Sequence, residues 1–306
     1  LKAACCNLSE CFETNATVDV TYSDAVSGLK TIQMLGLSGS YVKINNEFMI
    51  FADGLLNSYG LSYVPGSWIE SIQITKGSGS VINGLQAFTG QINIEYFKAD
   101  NKDADRVFWN MYVNSEGKIE NNLLLTKKEG DWKSNLFTHI SYLGHEIDHY
   151  GGDHDHDHDH SSHPTHSGDG FLDVPKQMQF NFLNRWKYTG SDRFKCQFNV
   201  KGLLEDRVGG QKEEYAERYL VDIHNNFLEL NSKFGYIFSD TDHSIGLQTV
   251  SRIHNQEANF GNNFYSGKQE KINLNFMYKF IHNNNDVICG FSYAADRFSE
   301  KFQGNI

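Results

Sequence analysis

The sequence predicts a mixed α/β domain over residues 1–98, followed over 104–306 by antiparallel β-strands of the membrane-barrel kind. Three observations lead there. Short apolar segments separated by Gly, Ser and Asn fill the first hundred residues. After them, long segments with period-two alternation recur. These long segments are joined in alternation by tight turns and long polar loops.

Composition sets the outer bounds. The chain has 306 residues and a formal net charge of -11, which argues against a nucleic-acid partner, since that would want a basic face. It carries 22 Phe, 15 Tyr and 4 Trp but only 3 Pro. Mean hydropathy is -0.50, and no run of about 18 apolar residues exists, so a membrane helix is excluded. A membrane barrel is compatible, because its strands alternate lipid-facing apolar with lumen-facing polar residues and look only moderately hydrophobic. The opening Leu1-Lys2-Ala3-Ala4 is neither an initiator Met nor a secretion leader, so the expectation is a chain that continues beyond both ends.

In the first part, 17–20, 30–35, 41–44, 69–74 and 91–96 read as short strands, and 9–14 and 57–61 as short helices. Lys76-Gly77-Ser78-Gly79-Ser80 supplies tight glycine turns between two of the strands. Cys5, Cys6 and Cys11 cluster near the start, while Cys196 and Cys289 stand alone. Local packing or a single disulfide explains the cluster; a soft-metal or redox site is the alternative.

The second part reads as nine strands: 106–114, 118–128, 132–143, 176–188, 193–204, 226–238, 243–254, 268–282 and 287–298. Phe180, Phe182, Trp186 and Tyr188 share one parity along their segment, and Ile272, Leu274, Phe276, Tyr278 and Phe280 share one along theirs. Successive side chains of a strand alternate faces, so each strand offers one lipid-compatible face. Long polar loops are expected at 144–175, 205–225 and 255–267. A soluble all-β sandwich is the competing architecture. Outer-membrane barrels, however, put short turns on the periplasmic side and long loops outside, as this spacing does.

A family resemblance adds to this. Ile69-Glu70-Ser71-Ile72-Gln73-Ile74-Thr75-Lys76-Gly77-Ser78-Gly79-Ser80, continuing to Gly90-Gln91-Ile92-Asn93-Ile94, resembles the plug-domain signature of TonB-dependent receptors. Ile32-Gln33-Met34-Leu35-Gly36-Leu37 looks like the region before that family's "IRGL" element. Tyr59-Gly60-Leu61-Ser62-Tyr63-Val64-Pro65-Gly66 and Cys5-Cys6-Asn7-Leu8-Ser9-Glu10 are similar to the form found in receptors of the Bacteroidetes type. A phosphate-cradling loop is the rival for the glycines, but no Gly-Lys-Ser/Thr follows. The resemblance implies a plug domain at 1–98 and the N-terminal portion of an outer-membrane barrel at 104–306, incomplete against the family's 22 strands. It also implies a TonB box ahead of residue 1. The expected partners are the TonB energy-transducing complex, outer-membrane lipid and a metal ion or chelate.

The densest local chemistry is a His/Asp loop. His145, His149, His154, His156, His158, His160, His163 and His166 are eight of the 13 histidines, interleaved with Asp155, Asp157 and Asp159. Imidazole and carboxylate ligate zinc, copper, nickel and iron, and an alternating tract of this kind cannot build a core. A solvated loop with no specific role is the plain alternative. Position suggests metal capture at the outer mouth. His139, His224, His243, His254 and His282 read as structural, and Met34 and Met49 as core with a possible soft-metal role. Asn45, Asn46, Glu47, Asp53 and Tyr59 are the expected substrate-facing residues, an assignment implied by the resemblance. No catalytic constellation and no required cofactor emerge; a transition metal ion (copper, zinc or iron) enters as substrate. The function expected is uptake of a metal ion or complex, copper or zinc first. A ferric-siderophore or cobalamin receptor is the alternative within the class, and a non-transporting metal-binding or adhesion β-protein outside it.

Overall fold

The structure, a computed structural model, describes residues 6–13, 18–24, 26–37, 39–77, 88–98, 106–147, 170–213, 218–282 and 285–304. In the N-terminal unit, β1 (Asp19–Tyr22) pairs with β2 (Lys30–Gln33). A four-stranded sheet follows in the order β4-β3-β6-β5, built from β3 (Val42–Asn46), β4 (Met49–Ile50), β5 (Ile69–Lys76) and β6 (Gly90–Tyr96). Only β3 and β6 run parallel in it. Helix α1 (Leu8–Phe12) starts at Asn7, whose side chain accepts the Glu10 N–H and so satisfies one orphan donor of the first turn. Helix α2 (Leu56–Tyr59) is a single turn.

Alternation decides the faces of this sheet. Register pairs Ile44 with Ile92 and Asn45 with Asn93 across β3 and β6. One face is therefore apolar, with Val42, Ile44, Ile92 and Ile94. The other is polar yet buried, with Lys43, Asn45, Gln91 and Asn93.

From β7 on, nine consecutive strands form one antiparallel sheet. They are β7 (Val107–Val113), β8 (Ile119–Glu129), β9 (Trp132–Leu143), β10 (Lys176–Tyr188), β11 (Phe194–Gly210), β12 (Leu220–Ile237), β13 (His243–Phe260), β14 (Asn263–His282) and β15 (Asn285–Gln303). The count and order match the sequence reading. Two of the three long loops do not. Strands β11 to β14 extend into 205–225 and 255–267, leaving 211–219 as one connection and a two-residue turn at Gly261-Asn262 as the other. Gly261 adopts φ 60°, which a tight hairpin turn requires and a glycine supplies without strain. The sequence hid these extensions because both faces are polar there. Asp206, Asp222, His224 and Glu257 point outward and Glu205, Arg207, Asn225 and Gln256 inward, so the period-two contrast vanishes.

The two faces of the sheet differ. Outward positions expose Met178, Trp186, Leu204, Leu228, Leu230, Ile253, Ile272 and Tyr293. Inward positions bury polar and charged groups. One register row crosses the sheet as Leu124, Phe137, Leu183, Lys201, Glu229, Arg252, Lys271 and Asp296, on β8 to β15. Its apolar part packs on the N-terminal unit: Trp68 and Tyr96 lie 5.4 and 6.1 Å from Phe137, centroid to centroid. Tyr63 stacks on Tyr59 (6.2 Å) and packs at a tilt against Phe227 of β12 (6.1 Å). The core thus lies between the small unit and the inner face of the large sheet.

Phe137 is fully buried in that contact. Phe137→Ala is expected to cost about 3–5 kcal/mol, because the three-ring cluster cannot close the void. Denaturant titration followed by Trp68 fluorescence checks this; a midpoint unchanged from wild type would refute the contact's role.

Candidate functional site

The interior is organised by two carboxylates of the N-terminal unit that reach cations on the sheet. The first is Glu47, at the tip of the β3–β4 hairpin. Glu47 and Phe48 both adopt positive φ, 51° and 64°, without being glycine. Such backbone persists only where its surroundings fix it. Here the Phe48 N–H donates to Asn93 Oδ1 at 2.6 Å and the Glu47 N–H to the Ile94 carbonyl at 2.8 Å. The carboxylate pairs with Arg185 of β10 and accepts from Gln197 Nε2 at 2.8 Å. Lys233 Nζ donates to the Glu47 carbonyl at 2.7 Å and stands 3.7 Å from its carboxylate. Burial by itself would raise the Glu47 pKa; the charges of Arg185 and Lys233 reverse that and hold it below its ordinary 4.5.

The second carboxylate is Asp53. Arg252 Nη1 donates to it at 3.0 Å, and Lys271 Nζ pairs with its other oxygen. Both cations also have a sheet carboxylate, Glu229 at 2.6 Å from Arg252 and Asp296 at 3.3 Å from Lys271. Beside it Gln269 accepts the Leu55 N–H at 3.2 Å. Gly54, at φ 59°, lets Gln269 approach: a Cβ there would stand 2.2 Å from its amide nitrogen.

Further along the same strands the contacts continue. Gln256 Nε2 donates to the Tyr59 hydroxyl at 2.8 Å, Tyr63 donates to Glu205, and Arg207 donates both to Glu205 at 2.8 Å and to the Ser27 carbonyl at 2.9 Å. Burial, helped by the Glu205 charge, pushes the Tyr59 hydroxyl up to about 12, so it stays neutral. Lys201 is fully buried with its Nζ 3.8 Å from the Phe51 ring centroid and 5.6 Å from that of Phe227.

The five residues expected to face substrate are thus placed differently from a shared open patch. Glu47, Asp53 and Tyr59 are engaged by the sheet. Asn45 is wholly buried, and its amide has no hydrogen-bond partner; Asn46 is 7% exposed. Asp53 borders a cavity beside β3. Met34 and Met49 are buried in the core. His139 is held by Glu120 at 2.8 Å and Asn181 at 3.0 Å, and His254 by Asn225 at 3.2 Å, as structural groups. His224 is instead exposed, between Asp206 and Asp222. Cys11 is disulfide-bonded, whereas Cys6, Cys196 and Cys289 are free, and burial first of all pushes the Cys6 thiol up to about 12. The disulfide favours the structural reading of the cysteine cluster.

Of the predicted metal ligands, His145 is exposed at the foot of its loop, against Gly117. His149, His154, Asp155, His156, Asp157, His158, Asp159, His160, His163 and His166 lie outside the described residues. Among the described residues, no cluster of three or more His, Cys, Asp or Glu side chains is placed to hold a metal. The loop's base is closed by an Ile147–Val174 bridge and by Lys176, which reaches Glu146 at 3.4 Å and Glu213 at 2.8 Å. No motif of the sequence marks the cations Arg185, Lys201, Lys233, Arg252 and Lys271. Parity is their only local signal: each stands on its strand's inward positions.

No protein-family model and no curated protein sequence matches the chain. Solved structures do. A copper transporter, OprC, superposes with a TM-score of 0.75 at 11% identity, over 98% of this chain and 45% of that one. The ferric citrate transporter FecA gives 0.70 at 11%, over 98% and 46%. The alcaligin outer-membrane receptor FauA from Bordetella pertussis gives 0.68 at 11%, over 97% and 45%. The chain shares their fold. It spans a little under half the length of each, and these neighbours are transporters and receptors rather than enzymes.

Two expectations follow. Asp53→Asn leaves Arg252 and Lys271 short of a buried counter-charge and should cost about 3 kcal/mol, at the lower end for a broken buried pair. Denaturant unfolding measures it, and a loss no larger than for a surface Asp→Asn control would contradict the role. The second concerns pH. Because the folded pKa of Glu47 is lowered, its contribution is complete above 4.5 and is lost as pH falls through the depressed value. Glu47→Gln should therefore flatten the acid limb of a stability–pH curve, while an unchanged limb would exclude Glu47 as its origin.

Proposed function

We propose that this chain is the plug domain (1–98) and the first wall strands (104–306) of a TonB-dependent outer-membrane receptor, which imports a metal ion or metal chelate. The observation that carries the reading is the small mixed sheet seated by ion pairs on the polar face of an antiparallel sheet whose other face is apolar. A lipid-embedded wall with a stopper on its lumen side has this polarity; a sandwich in water would have the reverse.

Details support it. At the end with the short turns, Trp132, Tyr188 and Phe194 adjoin at 5.3 and 6.1 Å, and Tyr236 meets Phe238 at 5.3 Å, as an interfacial aromatic girdle would. Crossing hydrocarbon takes about 9–11 tilted residues. Strands β11 to β15 have 17 to 20, so the surplus projects at the loop end, where the outward face turns polar at Asp206, His224 and Glu257. That end is the cell exterior, and the His/Asp loop at 144–175 leaves from it. Strands β7 and β15 are the sheet's edges. An edge in lipid leaves backbone groups unpaired, so the reading needs further strands to close the wall.

In this reading the His/Asp loop concentrates metal at the mouth, and force from TonB displaces the stopper by breaking the Glu47 and Asp53 contacts. Copper or zinc suits the loop; a ferric siderophore or cobalamin is the alternative cargo. A non-transporting adhesin or metal buffer of the same fold would bind metal without importing it.

Cells carrying the receptor should accumulate limiting copper or zinc in a TonB-dependent way. Replacing the eight loop histidines with Ser should lower accumulation several-fold at equal receptor abundance in the outer membrane. Accumulation that is indifferent to both TonB and the histidines would remove the reading.

A further inference from the structure

The tip of the β1–β2 hairpin is wedged into the loop-end rim of the large sheet. Asp24 shapes the tip. Its Oδ1 accepts the N–H groups of Val26 at 3.0 Å and Ser27 at 2.6 Å, and Ser27 Oγ donates to its other oxygen. Ser27 is buried, and its carbonyl accepts from Arg207 Nη1 at 2.9 Å. The pairing of Lys176 with Val208 carries Pro175 to the level of Gly209 on the neighbouring strand. The tip fills the notch between them. A Cβ on Gly209 would collide with the Val26 carbonyl oxygen, and one on Gly28 would stand 2.9 Å from Pro175 Cδ. These neighbours are a peptide group and a pyrrolidine ring, so neither contact can adjust by changing a rotamer. The same stretch of rim holds the base of the 144–175 loop. The Leu172 N–H donates to the Gly210 carbonyl at 2.8 Å, the Lys212 N–H to the Gly170 carbonyl at 3.0 Å and the Asp173 N–H to the Ile147 carbonyl at 3.1 Å. Phe171 and Gln211 form a bridge beside them.

We propose that this hairpin tip is a latch. Seated in the notch between Gly209 and Pro175, it fixes the rim and with it the loop base, so the small unit cannot leave its seat without loosening that base. The ion pairs of Glu47 and Asp53 engage Arg185, Lys233, Arg252 and Lys271, away from this rim, and seat the small unit without reaching the loop. The tip is where seat and loop meet. Close-packed contacts deform little, so the tip is either in the notch or out of it rather than graded between. Linkage makes the coupling reciprocal: whatever rigidifies the loop base steadies the seated unit by the same factor. The latch is a property of the packing and does not rest on the uptake reading.

Hydrogen exchange of the purified protein in detergent, read at the Asp173 and Lys212 amides, tests it. Both amides donate to carbonyls outside the hairpin, so a change there reports transmission through the rim. The bonds of exposed Asp24 lie within its own hairpin, and Asp24→Ala should speed exchange at both amides several-fold. Gly209→Ala closes the notch and should speed it about tenfold. Gly235→Ala, where an added Cβ has no neighbour nearer than 4.0 Å, should leave it unchanged. Exchange within β13 checks that each variant is folded. Should Gly209→Ala fail that check, Asp24→Ala decides alone. Wild-type exchange at Asp173 and Lys212 in either folded variant overturns the latch, as does unprotected exchange there in the wild type itself. Metal accumulation plays no part in this readout, so the latch and the uptake reading fail separately.

Discussion

Arg252 and Lys271 are neighbours in register on adjacent strands, both buried and both cationic; each pairs with a carboxylate of the sheet, Glu229 or Asp296, and both share one from a distant part of the chain, Asp53. Two like charges side by side in a low-dielectric interior repel each other and lose hydration, so Asp53 of the N-terminal unit adds a shared counter-charge to the two that the sheet supplies. The reverse holds as well. Asp53 sits in a loop between β4 and α2, with little regular structure to fix it, and the sheet cations do so. Glu47 repeats the arrangement with Arg185 and Lys233 at the strained hairpin tip.

This seam gives the assembly a particular mechanical character. The apolar contacts of Trp68, Tyr96 and Tyr63 with Phe137 and Phe227 are nondirectional and supply adhesion. The ion pairs supply register, because a shift of one residue along a strand would carry each sheet cation to the outward face. Charged contacts are also the ones that water can replace most readily. A seam held partly by paired charges exposes less apolar surface on separation than one held by apolar contacts alone.

Much of this architecture was legible in the residues. Nine strands, their antiparallel order and the two short helices follow from periodicity and turns, because outward aromatics alternate with inward polar groups through the middle of the strands. Where both faces are polar, as at 205–210 and 255–260, the pattern lost contrast and the strands were read as loops. The interior was less legible. Glu47, Asp53 and Tyr59 read from the sequence as candidates to face substrate. Their partners are 138 to 218 residues away in sequence, and no local signal identifies which inward cation meets which carboxylate.

What the sequence determined by itself was the set of faces: period two fixes which side chains share a surface, and glycine marks where the chain can reverse. Only the tertiary structure decided which faces meet. It placed Asp53 between Arg252 and Lys271 and gave Glu47 to Arg185. Pairing across the interior is set by where the small sheet docks on the large one, a long-range geometric fact that depends on packing and charge compensation together.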